Sequence, residues 1–123
     1  MKIAHRDIKP ENILYFTEKG EGLLPSDAID DPSKDRVKIG DFTVALEVRH
    51  EGMRIKGREG TEAYLAPEIF TQDSYWPKPI DIWALGLVLY GFLFGSLPFP
   101  IGTRSNFVLQ YPTPVSEELR SLL

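Results

Sequence analysis

The sequence predicts a mainly α-helical chain with a short β-hairpin near its start, an α+β composition. Three observations carry this expectation. "NILYF" (Asn12 to Phe16) and "RVKIGDF" (Arg36 to Phe42) are short apolar runs, and the second alternates Val37, Ile39 and then Asp41, Phe42 with the period of a strand. From Ile82 to Phe99 the chain reads "IWALGLVLYGFLFGSLPF" without a charge. A third run, Ser116 to Leu123, opens with "SEEL", an acidic first turn that marks a helix start.

The two apolar runs are expected to pair as a hairpin. Their connection, Thr17 to Asp35, is long against the usual hairpin loop of about 2–5 residues. It holds Gly20, Gly22, Pro25, Pro32 and six acids against two lysines, the composition of a solvated insertion. Val44 to Ala63 mixes charges with Gly52, Gly57 and Gly60 and has no period, so a long mobile loop is expected. Ala66 to Thr71 suits a short helix with Pro67 near its first turn. "SYWPKP" breaks the chain with two prolines. Asp81 is then expected in the first turn of the apolar helix, where the helix dipole favours a carboxylate.

The bulk numbers narrow the class. The 123 residues suffice for one domain, and 42% hydrophobic with 26% charged residues is a globular composition. A net charge of −4 argues against general binding to nucleic acid or a membrane surface. With no cysteine there are no disulfides or thiolate metal sites. "MKIAHRD" has no apolar signal-peptide region, so an intracellular place, cytoplasmic or nuclear, is expected. Pro98 and Pro100 cut the apolar run to about 15 helical residues, Asp81 to Gly95, which suits a buried core helix better than a membrane span.

Four motifs follow one another: "HRDIKPEN" at 5–12, "DFT" at 41–43, "GTEAYLAPE" at 60–68 and "DIWALG" at 81–86. In this order they resemble the catalytic loop, metal-binding triplet, end of the activation segment and central helix of a eukaryotic protein kinase of the serine/threonine type. The resemblance implies the α+β kinase fold, with this chain in its mainly helical C-terminal lobe. It implies ATP and Mg²⁺ as cofactors and a protein Ser or Thr hydroxyl as the acceptor.

The site residues are carried over position by position. Asp7 resembles the catalytic base, and Lys9 the cation beside the transferred phosphate. Asn12 and Asp41 resemble the two magnesium ligands, hard oxygens of the kind that ion prefers. The Thr61 hydroxyl is expected to bond both Asp7 and Lys9. His5 is expected to be structural, and Asp81 to accept backbone N–H groups of the catalytic loop. Glu68 is expected to pair with an arginine further downstream. Glu11 is similar to an acid that meets an arginine of the substrate in some basophilic kinases. Arg6 resembles the arginine that pairs with an activation-loop phosphate, but Val44 to Gly60 contains no Ser, Thr or Tyr. Glu51 or Glu59 is expected to take the phosphate's place. Two departures stand out: Thr43 where the family has glycine, and Glu62 where proline often follows "GT".

"LGLVLYGFLFGSLPFP" and "LQYPTPVSEELRSLL" are most similar to calmodulin-dependent kinases and their kinase kinases. That subgroup implies calmodulin as a partner of a longer parent only. The Gly-rich loop, strand lysine and helix glutamate of a kinase are not found. The expectation is a partial kinase domain over residues 1–123, with an acidic insertion at 17–35 and an activation segment at 43–63. The missing remainder of the domain is then a required partner, and the isolated chain is expected to be inactive with a large apolar surface. Two other readings are a kinase-like interaction protein without catalysis and a small-molecule phosphotransferase. The intact Asp7, Lys9, Asn12 and Asp41 speak against the first, and "APE" with "DIWALG" against the second.

Overall fold

The computed structural model describes residues 2–17, 20–21, 36–99, 109, 111 and 114–122. Among these are two small antiparallel sheets and three helices. Pro10 opens a 3-10 turn, Pro10–Asn12, closed by Asn12 N donating to Lys9 O at 3.0 Å. Strand β2, Ile13–Thr17, runs directly out of that turn.

Strand β2 is central in a three-stranded sheet between β3, Gly20–Glu21, and β4, Arg36–Ile39. The expected hairpin partners do pair, with Ile13 opposite Ile39 and Tyr15 opposite Val37. Alternation puts these four on one face. The segment expected to be an open loop begins with strand, since Phe16 and Thr17 pair with Glu21 and Gly20. The rest of the acidic insertion, residues 22–35, lies outside the described residues. Strand β4 stops earlier than the alternation suggested. Gly40 N still donates to Asn12 O at 2.8 Å, but Asp41 turns to φ 57°. That left-handed conformation ends an extended strand.

The segment expected to be irregular, 44–63, is partly tied down. Strand β5, Leu46–Glu47, pairs with β1, Ile3–Ala4, and Val48 N extends the pairing to Lys2 O at 2.7 Å. Further on, Ile55 and Tyr75 exchange backbone hydrogen bonds of 2.9 and 3.0 Å. Glu62–Tyr64 forms a 3-10 turn. Two-residue strands have no period, which is why the pattern reading missed them.

Helix α1, Glu68–Thr71, is capped by Pro67, just outside the first turn where it was expected. Helix α2 spans Pro77–Phe94 and starts four residues before the expected Asp81. The prolines read as breakers sit in its first turn, where amides have no intrahelical acceptor to lose. Asp81 therefore lies in the second turn, and the dipole does not explain it. Gly95 ends the helix at φ 73°, with its N–H bonded to Gly91 O at 2.9 Å, an αL stop that glycine adopts without steric cost. Helix α3, Glu117–Leu122, starts as the sequence suggests, with Ser116 Oγ accepting from Leu119 N at 3.2 Å.

The buried residues of α2 (Pro77, Ile80, Ala84, Leu87, Val88, Tyr90) recur mostly at three- and four-residue spacing, along one broad side of the helix. Ile80 belongs to a cluster with Leu65, Ala66, Ile69 and Tyr75. Ala84 and Val88 pack on Ile8, with Ile13 and Tyr64 at the edge. One helix thus supports the "GTEAYLAPE" and "HRDIKPEN" stretches together. Its other side is bare: Ile82 is 70% exposed and Phe92 67%. By length and mean hydropathy, 1.2 over 18 residues, α2 would suffice to cross a membrane, a property that core helices share.

Candidate active site

The floor of the site is Asp81. Its Oδ2 accepts from His5 N at 2.7 Å and its Oδ1 from Arg6 N at 2.8 Å. One carboxylate on α2 thereby holds two successive amides of the loop, the role implied for Asp81. Arg6 is at φ 67°, left-handed and costly for a side chain of its size. The bond from its own amide helps to hold it there. His5 is 5% exposed. Asp7 N donates to His5 Nδ1 at 3.3 Å, which makes that nitrogen an acceptor. His5 Nε2, 2.8 Å from Gly40 O, is then the ring N–H donor. The ring also meets Phe42 edge-on, centroids 4.9 Å apart. His5 is structural, joining the "HRD" and "DFT" stretches.

Asp7 receives donors on both oxygens. Thr61 N and Thr61 Oγ1 donate to its Oδ1 at 2.8 and 2.7 Å. Lys9 Nζ lies 2.9 Å from Oδ2, and Asn12 Nδ2 reaches the same oxygen at 3.3 Å and Asp7 O at 2.9 Å. Lys9 Nζ also donates to Thr61 Oγ1 at 2.8 Å. The Lys9 and Asp7 side chains are only 20% and 12% exposed. Burial is the largest single influence on the Asp7 carboxyl and pushes it up. The hydrogen bonds from Thr61 and Lys9 and the Lys9 charge outweigh it, so Asp7 lies below its usual range. The hydrogen bond to Asp7, more than any other factor, raises Lys9. The result is a fixed ion pair that stays charged at neutral pH.

Thr61 reaches this pair because Gly60 lets the chain pass against the loop. Gly60 is at φ 108°, and a Cβ there would lie 2.3 Å from Arg6 O. Only glycine fits.

Asp41 stands apart from the other four site residues. It is exposed, and both of its hydrogen bonds run to Thr43, whose Oγ1 and N lie 2.5 and 3.3 Å from Oδ1. The Thr43 hydroxyl first and its amide second hold the Asp41 carboxyl below its usual range. Thr43 is not among the residues with positive φ, so its backbone does not require a glycine. Pairing of β2 with β4 places Asn12 and Asp41 at the same end of the sheet, through Gly40 N and Asn12 O. With the Asn12 amide nitrogen committed to Asp7, its oxygen is the atom left for a cation. Among the described residues no group of three or more His, Cys, Asp and Glu could hold a metal. Two protein oxygens, with phosphate and water completing the shell, is the pattern magnesium favours, and Asn12 with Asp41 fits it.

Residues 44–60 are held differently from expectation. Arg6 Nε donates to the carbonyl of Val44, with no carboxylate partner among the described residues. Glu51 is instead paired with Lys2 at 3.3 Å on the surface. Arg54 donates to Ser74 O, Ser74 Oγ and Gln72 Oε1 and lies over the Trp76 ring. The buried Tyr75 hydroxyl donates to Gly57 O at 2.6 Å. Glu68 is half-buried and borders an apolar groove of about 580 Å³ along α2, with no arginine on it among the described residues. Sequence reasoning missed Gly60 and the Thr43 hydroxyl. "GT" and "DFT" carried the signal, a glycine before a site residue and a hydroxyl two positions after a carboxylate.

A family model described as protein kinase domain matches residues 1–118. The chain is 40% identical over 97 residues to the calcium/calmodulin-dependent protein kinase type II subunit delta of Oryctolagus cuniculus. The match covers 79% of this chain and 16% of that protein, so the chain spans a small part of the curated relative's length. With its "HRDIKPEN" loop bound to α2 through Asp81 and matched from residue 1 to residue 118, the chain belongs to the protein kinase family.

Proposed function

We propose that this chain is the catalytic-loop and activation-segment part of a serine/threonine protein kinase, which transfers the ATP γ-phosphoryl group to a protein hydroxyl. The observation that carries it is the Asp7–Lys9–Thr61 network, closed on three sides by contacts of 2.7 to 2.9 Å. Asp7 orients the acceptor hydroxyl and takes its proton. Lys9 stabilises negative charge on the phosphoryl oxygens as it develops. Thr61 keeps these two side chains in register, and its place supports a serine or threonine acceptor. Asn12 and Asp41 would hold Mg²⁺, which when bound neutralises phosphate charge.

Residues 43–63 act as the activation segment. The relative's name supports calmodulin as a regulator of the longer protein. The test is phosphoryl transfer by the full-length protein to paired peptides that differ only in Ser, Thr or Tyr at the acceptor. Transfer to Ser or Thr, lost in Asp7→Asn, is the expected result. Transfer to Tyr alone, or transfer undiminished in Asp7→Asn, would refute the reading.

A further inference from the structure

We propose that Thr43 is a positioning residue for Asp41: its hydroxyl occupies Oδ1, fixes the carboxylate, and leaves Oδ2 as the oxygen presented to a divalent cation. The inference rests on the phosphoryl-transfer reading and adds a residue to it. Asp41 has no other side-chain anchor among the described residues. The side chain is exposed, its backbone is left-handed at φ 57°, and its two bonds both come from Thr43. An exposed carboxylate with no anchor samples several rotamers, and ordering it would oppose cation binding. The Oγ1 contact of 2.5 Å removes that freedom in advance. A glycine or valine at 43 keeps the amide bond and loses the hydroxyl. Serine keeps both. Hydrogen bonds to a ligating carboxylate typically change metal affinity by about 10–100-fold.

Thr43 is exposed and makes no core contact, so its variants are expected to fold. The experiment is Mn²⁺ binding to the full-length protein with a non-hydrolysable ATP analogue, read by electron paramagnetic resonance without turnover. Thr43→Val and Thr43→Gly are each expected to weaken Mn²⁺ by about 10-fold, and Thr43→Ser to match the wild type. Wild-type affinity in Thr43→Val, with Asp41→Asn still weak, overturns the role of Thr43 alone. So does a loss in Thr43→Gly that Thr43→Val does not share, since backbone freedom would then be the cause. Equal Mn²⁺ affinity in wild type and Asp41→Asn removes Asp41 from the cation site and overturns both readings.

Discussion

The chain holds the two candidate site carboxylates, Asp7 and Asp41, by different means. Asp7 is gripped from both sides: Thr61, far off in sequence, bonds Oδ1, the near neighbours Lys9 and Asn12 hold Oδ2, and Asp81 anchors the amides of His5 and Arg6 just before it. Asp41 is gripped by a neighbour two residues on and is open to solvent. In the proposed reading, a carboxylate that orients a hydroxyl has to keep a fixed place relative to residues 43–63, and the long-range bonds from Thr61 secure that. A carboxylate that meets a cation has to keep an open oxygen, and a local contact secures that without covering it.

The largest expected effect tests this contrast directly. Asp7→Asn should lower the phosphoryl-transfer rate by about 10²–10⁴-fold in initial-rate assays of the full-length protein. Its melting temperature should also fall, whereas Asp41→Asn should leave stability within about 0.5 kcal/mol. If the two variants melt alike, the contrast in anchoring is wrong. Gly60→Ala comes next, because its Cβ would meet Arg6 O at 2.3 Å in a left-handed backbone. A loss of about 3 kcal/mol is expected in denaturant unfolding, with loss of activity.

Asp81→Asn removes one of two acceptors and leaves a loop amide unsatisfied, which costs about 1–3 kcal/mol. The pH response sharpens the same point. The folded Asp7 lies below its unfolded range, so its stabilisation is fully present above about pH 4. It is lost as pH falls through the lowered folded value. As pH falls below about 4 the wild type should therefore lose melting temperature more steeply than Asp7→Asn. The smallest effect is expected at Lys2→Ala. Its partner Glu51 is 91% exposed, and a pair of this kind contributes at most about 1 kcal/mol.

Much of the site was legible because its members sit within three short motifs. Asp7, Lys9 and Asn12 share eight residues, and Thr61 reaches them as the motif order implied. The β2–β4 pair was legible because Val37 and Ile39 alternate. Other features had no pattern to read. The β1–β5 pair is two residues long, and β3 is a Gly–Glu dipeptide inside an acidic stretch. The start of α2 was misplaced because Pro77 and Pro79 break a helix interior yet open a helix well, and sequence alone does not say which applies. Arg6 was assigned a carboxylate because charge invites charge. A left-handed residue beside Val44 instead turns its guanidinium to a carbonyl.

The stretch from Val44 to Gly60 offers no hydroxyl, and its fastenings are hydrogen bonds that need no added phosphate: a carbonyl for Arg6, a buried phenol on Gly57, a guanidinium across Ser74. Nothing in it can be esterified by an upstream kinase, and a phosphatase has nothing there to remove. Such a stretch holds no memory of past signals.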